Sequence, residues 1–322
     1  MSGEPTLRLG FMPLNDSAAL LVGQAMGFFA DEGLDVVLSR EASWATVRDK
    51  LAVGALDAAQ VLAPIPLAAT LGVGSDPVAM AAPLILSRDG PAITVSSRLA
   101  GAFGADGAQG LARLVARRRE EGASPLTFAV VFPYSAHAYL LRDWMAKAGL
   151  DPDRDVRLTV VAPPRTAELL ADGVIEGFCA GEPWNLLAEA AGAGRVVARA
   201  ANLHGHSPDK ALGVTEAWAE AHPDVLAALM RALVRASAWA GVPENRLALA
   251  GLLARPEHLD QPVEILAHSL PGAALGDNRP APEDAAWLAG QMRRWGQAGA
   301  EADAAAARVF ASDRFDRALS GA

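Results

Sequence analysis

Cysteine is almost missing from this 322-residue sequence: Cys179 is the only one, so the chain has no internal disulfide. Positive charge is also scarce, because 28 Lys and Arg stand against 37 Asp and Glu and give a formal net charge of −9. This balance disfavours a general binder of nucleic acid or anionic membranes, since the field of the protein repels polyanions. A single small anion in a locally positive pocket stays compatible with it.

Long apolar runs and an export leader are missing as well. The longest apolar window, residues 18–30, lies between Asp16 and Asp31 and is too short to span about 30 Å of hydrocarbon. The amino terminus has no basic start followed by an apolar stretch and a small-residue cleavage site. With Met1 as the natural start, we expect a soluble cytoplasmic protein.

Signatures of catalysis are absent too. The sequence contains no Gly-x-Ser-x-Gly elbow, no Gly-rich phosphate loop with Lys-Ser/Thr and no Cys-x-x-Cys. His204 and His206 lie two residues apart, but two candidate ligands without a nearby third are weak evidence for a metal. We therefore predict a protein that is not an enzyme and that holds neither a metal nor a cofactor.

What the sequence does contain is an alternation of strand-like and helix-like segments. Apolar residues and capping residues predict strand, helix, strand and helix in the first 54 residues, and the same alternation returns over residues 126–190. The chain from residue 222 onwards is mostly helical in pattern. This order is typical of an α/β fold with a mostly parallel sheet. The first segments are predicted over residues 6–12, 18–32 (ended by Gly33), 34–39 and 44–53.

Two short strand candidates, residues 92–96 and 211–214, connect these blocks. We expect them to carry the chain out of a first lobe and back into it. The predicted layout is a discontinuous lobe of residues 1–95 plus 208–322, and a second lobe of residues 96–207.

Four predicted strand-to-helix junctions carry a capping residue or a proline, at Asn15/Asp16, Ser43, Ser135 and Glu182 before Pro183. A helix N-terminus offers unpaired N–H groups and a partial positive charge, and junctions of this kind gather at the carboxyl edge of an open sheet. Several of them at one edge would form an anion site, whereas each one alone is typical of an ordinary helix cap.

Three further side chains stand close to these junctions. Trp44 and His137 fall in the first turn of their predicted helices, and Lys210 directly precedes the returning strand. Taken singly, an indole or an imidazole is more often part of the core, and a lysine is more often a solvated surface charge. The residue pattern by itself leaves both interpretations open.

Six segments of the sequence form a recognisable set: residues 10–16 (GFMPLND), 41–50 (EASWATVRDK), 56–66 (LDAAQVLAPIP), 132–137 (FPYSAH), 177–185 (GFCAGEPWN) and 208–213 (PDKALG). In this order they resemble the nitrate-binding proteins of bacterial ABC importers. That family also includes bicarbonate-binding proteins and cytoplasmic NasS-type nitrate/nitrite sensors. The resemblance covers most of the chain and weakens after about residue 255.

This resemblance implies a type II periplasmic-binding-protein fold, in which two lobes close through a hinge over one small anion in a central cleft. The family ligand positions correspond to Trp44, His137 and Lys210. Lys210 implies nitrate in particular. By the same resemblance, nitrate binders keep a lysine at this position, whereas bicarbonate binders have an acidic residue that is linked to a cation. The remaining predicted ligand-binding residues are Asn15, Asp16 and Glu182, from the junctions above, and Trp184, which follows Pro183.

Some positions depart from the family. Pro91 stands where many nitrate importers' proteins carry glutamine, and Ala136 and Ala138 replace polar residues around His137. These changes affect the expected affinity and the nitrate-versus-nitrite preference.

Within the family, the missing leader favours the cytoplasmic NasS-type sensor. The resemblance then implies a partner, a NasT-type RNA-binding antiterminator, which is held inactive and released when nitrate or nitrite binds. The alternative is a solute-binding component of a nitrate or related small-anion ABC importer. A third hypothesis is an enzyme on this scaffold, as among relatives that act on vitamin precursors, with Lys210 as a nucleophile.

Overall fold

The computed structural model describes residues 6–103, 106–270 and 274–320. Strands and helices alternate along most of this part of the chain. The strands are β1 (Leu7–Phe11), β2 (Val36–Arg40), β3 (Ala58–Leu62), β4 (Met80–Arg88), β5 (Ala92–Ser96), β6 (Thr127–Val130), β7 (Arg157–Val160), β8 (Gly177–Ala180), β9 (Gly194–Arg199) and β10 (Pro208–Thr215).

Most connections between these strands contain α-helices, and a run of helices follows β10. They are α1 (Ala18–Ala25), α2 (Phe28–Asp31), α3 (Trp44–Ala52), α4 (Pro64–Leu71), α5 (Ser97–Phe103), α6 (Gly107–Glu120), α7 (Ala136–Ala146), α8 (Thr166–Ala171), α9 (Trp184–Ala190), α10 (Ala200–Leu203), α11 (Glu216–Ala221), α12 (Pro223–Gly241), α13 (Arg246–Leu253), α14 (Val263–Ser269), α15 (Pro282–Arg294), α16 (Glu301–Val309) and α17 (Asp313–Ser320). Short 3-10 turns cover Asn15–Ser17, Pro163–Arg165 and Pro243–Asn245.

The chain folds into two compact units: a first unit of Met1–Arg88 with Ser207–Ala322, and a second unit of Asp89–His206. The first unit has the strand order β2-β1-β3-β10-β4. β1 pairs in parallel with β2 and β3, whereas β10 is antiparallel to β3 and β4. The carboxyl ends of β1 and β3 therefore lie at the same sheet edge as the beginning of β10, where Lys210 is paired with Leu62.

The second unit has the strand order β7-β6-β8-β5-β9. β6 pairs in parallel with β7 and β8, and β5 is antiparallel to β8 and β9. The predicted first lobe extends to residue 95, but this sheet pairing puts β5 in the second unit. The cause is its hydrogen bonding on both sides, which a short apolar strand does not reveal in sequence.

The first predicted helix is broken in the structure. A single helix was predicted over residues 18–32, whereas α1 ends at Ala25 and α2 begins at Phe28. Gly27 lies between them with φ of 76°, a left-handed conformation that stops an α-helix and that glycine adopts without steric cost. The mostly helical region predicted from residue 222 is confirmed by α12 to α17.

The core of the first unit is built from leucine and alanine. Leu229 and Leu233 of α12 are fully buried together with Leu20 and Leu21 of α1 and with Leu9 of β1. Each buried leucine contributes about 1.5–3 kcal/mol relative to exposure.

No single helix in the described residues is long and apolar enough to cross a membrane. α12 and the segment Pro243–Leu253 meet that test only as a pair bent by 82°.

Candidate functional site

Lys210 is the centre of a buried polar cluster in the first unit. Its ammonium is completely buried, and Nζ lies 2.9 Å from Asp16 Oδ2 and 2.7 Å from Asp209 Oδ2. An ammonium carries three N–H donors. Two of them are used by these carboxylates, and the third has no partner among the residues that the structure describes.

The charge of Lys210 is maintained by these neighbours. Burial by itself lowers the pKa of Lys210, but the charges of Asp16 and Asp209 and their hydrogen bonds outweigh this effect, so that the pKa is raised from its ordinary value. The side chain is therefore an ammonium throughout the neutral range, although it lies in a completely buried position.

Trp44 lies against this ammonium because of a local capping motif. The Ser43 side chain accepts a hydrogen bond from the Thr46 backbone N–H at 3.1 Å, which begins α3 at Trp44 as the sequence predicts. The indole is 1% exposed, and its ring centroid lies 5.7 Å from Lys210 Nζ. Its Nε1–H has no partner in the described part of the chain. A buried donor without a partner is costly, which points to a ligand acceptor.

Asn15 and Asp16 are held differently from the prediction. They form a 3-10 turn, and neither side chain caps a helix, so the predicted capping role is wrong. The reason is that both side chains have longer-range partners: Asn15 Nδ2 donates to Ser269 Oγ at 2.8 Å, and Asp16 binds Lys210. Both residues are buried, and Asn15 Oδ1 has no partner among the described residues.

Three residues of the cluster were not selected from the sequence. Gln60 bonds to Asp16, Asp209 bonds to Lys210, and Ser87 is paired with Lys210 across β4 and β10. The Ser87 hydroxyl is buried without a partner in the described residues. A polar residue within an apolar strand was the available signal for Gln60 and Ser87, and adjacency to Lys210 was the signal for Asp209.

The other predicted site residues belong to the second unit. The Ser135 side chain accepts from the Ala138 N–H at 3.0 Å and begins α7, as predicted, so that His137 occupies its first turn and is completely buried. Trp184 is the first residue of α9 and is 4% exposed. The structure thus brings together Asn15, Asp16, Trp44 and Lys210 within the first unit and places the remaining three predicted residues in the second.

Glu182 has structural partners of its own. Its Oε2 accepts from the Leu186 N–H at 3.1 Å, and its Oε1 accepts from Arg199 at 3.1 Å. Burial raises the pKa of Glu182, and the bonds from Leu186 and Arg199 offset only part of that effect. The Glu182 side chain thus bonds to the backbone of the first turn of α9, which begins at Trp184 directly after Pro183. The role of Glu182 toward a ligand stays a prediction.

His204 and His206 both have partners within the second unit. His204 Nε2 lies 3.2 Å from Asp143 Oδ2, and the backbone N–H of His206 donates to Asp89 at 2.7 Å. Over residues 6–103, 106–270 and 274–320, no three His, Cys, Asp or Glu side chains are grouped so that they could hold a metal ion.

Known proteins are similar to this chain in both sequence and fold. The chain is 35% identical over 312 residues to the nitrate import ATP-binding protein NrtC of Synechococcus elongatus, covering 92% of this chain and 47% of that protein. It is 30% identical over 280 residues to the bicarbonate-binding protein CmpA of Synechococcus sp., covering 83% and 61%. The chain thus spans about half the length of the first curated relatives it matches.

The crystal structure of the periplasmic nitrate-binding protein NrtA from Synechocystis PCC 6803 superimposes with a TM-score of 0.92 at 26% identity, covering 98% of this chain and 88% of that one. The predicted periplasmic-binding-protein fold is therefore confirmed. Residues 2–254 match the NMT1-like family. Since this match extends over most of the chain, the protein belongs to the NMT1-like family.

Proposed function

We propose that this protein binds one small, planar, monovalent oxyanion, and that nitrate or nitrite is that anion. The observation that carries the proposal is the pair of buried donors in the first unit: the third N–H of Lys210 and the Nε1–H of Trp44. Two directed N–H groups beside one another suit an oxyanion, and a bond from an ammonium is worth about 1.5–3 kcal/mol. The names of the relatives NrtA and NrtC support the same ligand class.

The surroundings of Lys210 favour low ligand charge. Asp16 and Asp209 already offset the charge of the ammonium, so the site attracts an anion through a directed hydrogen bond more than through net positive charge. A second negative charge on the ligand would increase repulsion by both carboxylates. We therefore expect nitrate and nitrite to bind and sulfate not to compete.

Bicarbonate is the second candidate, and one observation favours it. Asn15 Oδ1 is a buried acceptor with no partner in the described residues, and the hydroxyl of bicarbonate could donate to it, whereas nitrate has no donor. The bicarbonate-binding relative CmpA supports this alternative. The lysine at position 210 supports nitrate, because the resemblance to nitrate-binding proteins implies a lysine there.

Calorimetric titration of the protein with nitrate, nitrite, bicarbonate and sulfate tests the ligand class directly. We expect saturable binding with one site for nitrate or nitrite and no heat for sulfate. Binding of sulfate as tightly as nitrate would contradict the argument from Asp16 and Asp209. Preference for bicarbonate would assign the site to the second candidate.

Our proposal for the biological role is a cytoplasmic, NasS-type sensor that holds a NasT-type antiterminator and releases it when the anion binds. The support is the resemblance of the sequence motifs, and the net charge of −9 suits a basic RNA-binding partner. Release would follow if the ligand-bound conformation has the lower affinity for the partner. The predicted hinge and the contribution of His137 to the same ligand stay predictions.

The alternative role is a solute-binding component of a nitrate or related ABC importer. Affinity capture from native extract, with and without nitrate, separates the two. A sensor is expected to retain an RNA-binding regulator in the ligand-free sample and to lose it with nitrate, and to fractionate with the cytosol. Capture of a membrane permease, with no RNA-binding protein in either sample, would favour the importer.

A further inference from the structure

Gln60 is a completely buried amide that lies between the end of β1 and Asp16. Its Oε1 accepts a hydrogen bond from the Met12 backbone N–H at 2.9 Å, and its Nε2 donates to Asp16 Oδ1. A backbone N–H can only donate, so it fixes the amide with the oxygen toward Met12. The Nε2 donor is thereby directed at Asp16.

Asp16 in turn uses both of its oxygens. Oδ1 accepts from Gln60, and Oδ2 lies 2.9 Å from the ammonium of Lys210. Only a carboxylate can accept on both atoms at once, because an asparagine would present an NH₂ group to one of the two donors. The orientation of Asp16, and with it the position of the ammonium, is therefore fixed from the side opposite Lys210.

We propose that Gln60 is a positioning residue for anion binding: it holds Asp16 so that the free N–H of Lys210 meets the ligand beside Trp44. This inference rests on the proposed function, because anion binding is its readout. The side-chain hydrogen bonds of Gln60 go to Met12 and Asp16, so it acts on Lys210 through Asp16. An apolar residue would fill the same volume but would leave the Met12 N–H and Asp16 Oδ1 without these bonds.

The test is Gln60→Glu, which keeps the size of the side chain and the acceptor for Met12 but places a second carboxylate against Asp16. The charged groups of this cluster are Asp16, Lys210 and Asp209. We expect the Kd for nitrate, measured by calorimetry relative to the unmodified protein, to rise about tenfold or more at about pH 8. At about pH 5.5 the ratio should return to within about threefold, because the introduced carboxyl is protonated and can donate to Asp16.

Gln291→Glu is the matched control. Gln291 is a buried amide of α15 in the same unit, and its Oε1 accepts from Trp295 Nε1 at 3.1 Å. Its variant should bind nitrate like the unmodified protein at both pH values. Gln60→Met, which can neither accept nor donate a comparable bond, should weaken binding about fivefold or more at both pH values.

The outcomes separate this inference from the proposed function. Affinity of Gln60→Glu equal to the unmodified protein at about pH 8, or an equal loss at both pH values, would overturn the positioning role. If Gln60→Glu does not fold, an unchanged affinity of Gln60→Met overturns it by itself. If the unmodified protein binds neither nitrate nor nitrite, the proposed function fails instead.

Discussion

Replacing Lys210 by methionine tests both the stability and the binding chemistry of the cluster. The variant keeps the length and volume of the side chain and removes the ammonium that Asp16 and Asp209 share. Because two buried carboxylates then lose their common cation, we expect the free energy of unfolding to fall by about 3–5 kcal/mol. Loss of the charge-assisted bond to the ligand costs about 1.5–3 kcal/mol, which corresponds to about a 10- to 150-fold rise in Kd.

Two assays measure these effects separately. Urea unfolding gives the loss of stability, and calorimetry with nitrate gives both the stoichiometry, which reports the folded fraction, and the Kd of the folded protein. The control is Lys147→Met, since Lys147 is an exposed lysine of the second unit. That variant should change neither quantity.

The pH dependence has a definite sign. The pKa of Lys210 is raised in the folded protein, so the stabilisation by its ammonium is complete below the ordinary lysine pKa of about 10.4 and is lost as pH rises through the raised value. Titration of Lys210 therefore leaves nitrate binding unchanged through the neutral range. Nitrate affinity of Lys210→Met equal to that of the unmodified protein, at full stoichiometry, would refute the assignment of Lys210 to the ligand.

Three further predictions address other parts of the two units. Trp44→Phe keeps an aromatic ring and removes the unpartnered Nε1–H, so the Kd for nitrate should rise about 2- to 12-fold in calorimetry. The control Trp239→Phe should leave the Kd unchanged. Equal affinity of Trp44→Phe and the unmodified protein would count against Trp44 as a donor. Burial raises the pKa of Glu182, so the stabilisation by its protonated form is complete below its ordinary pKa and is lost as pH rises through the raised value. The Tm of the unmodified protein, relative to that of Glu182→Gln, should therefore increase from about pH 7 to about pH 4.5. A Tm difference that stays constant with pH would refute this. Ser43→Ala removes the acceptor for the Thr46 N–H and should cost about 0.5–2 kcal/mol in urea unfolding; no loss would show that the cap contributes nothing.

Local signals in the sequence were sufficient for several elements of the fold. A serine ahead of a helical pattern predicts a cap, and both Ser43 and Ser135 accept the expected backbone N–H. These features depend on residues three positions apart, so they are visible without knowledge of the rest of the chain.

β3 shows why other elements were missed. All five of its residues are buried, so Ala58–Leu62 lacks the alternation of apolar and polar residues that identifies a half-exposed strand. Gln60 was overlooked together with the strand that carries it.

The candidate site depends on contacts between distant parts of the chain. Asp16, Gln60 and Lys210 come from three separate segments, and pairing of β10 with β3 is what brings Lys210 to the edge where β1 ends. No local pattern indicates that pairing. The resemblance to known binding proteins supplied Trp44, His137 and Lys210 as a set, but it did not predict that Asp16 and Asp209 hold the ammonium.

A crystal structure of the protein grown with nitrate tests the central claim most directly. We predict a nitrate whose oxygens lie within hydrogen-bonding distance of Lys210 Nζ and Trp44 Nε1, with Asp16 still bound to Lys210 and Gln60. An ordered nitrate elsewhere in the protein, with the Trp44 N–H and the third N–H of Lys210 bonded to protein groups instead, would contradict the account.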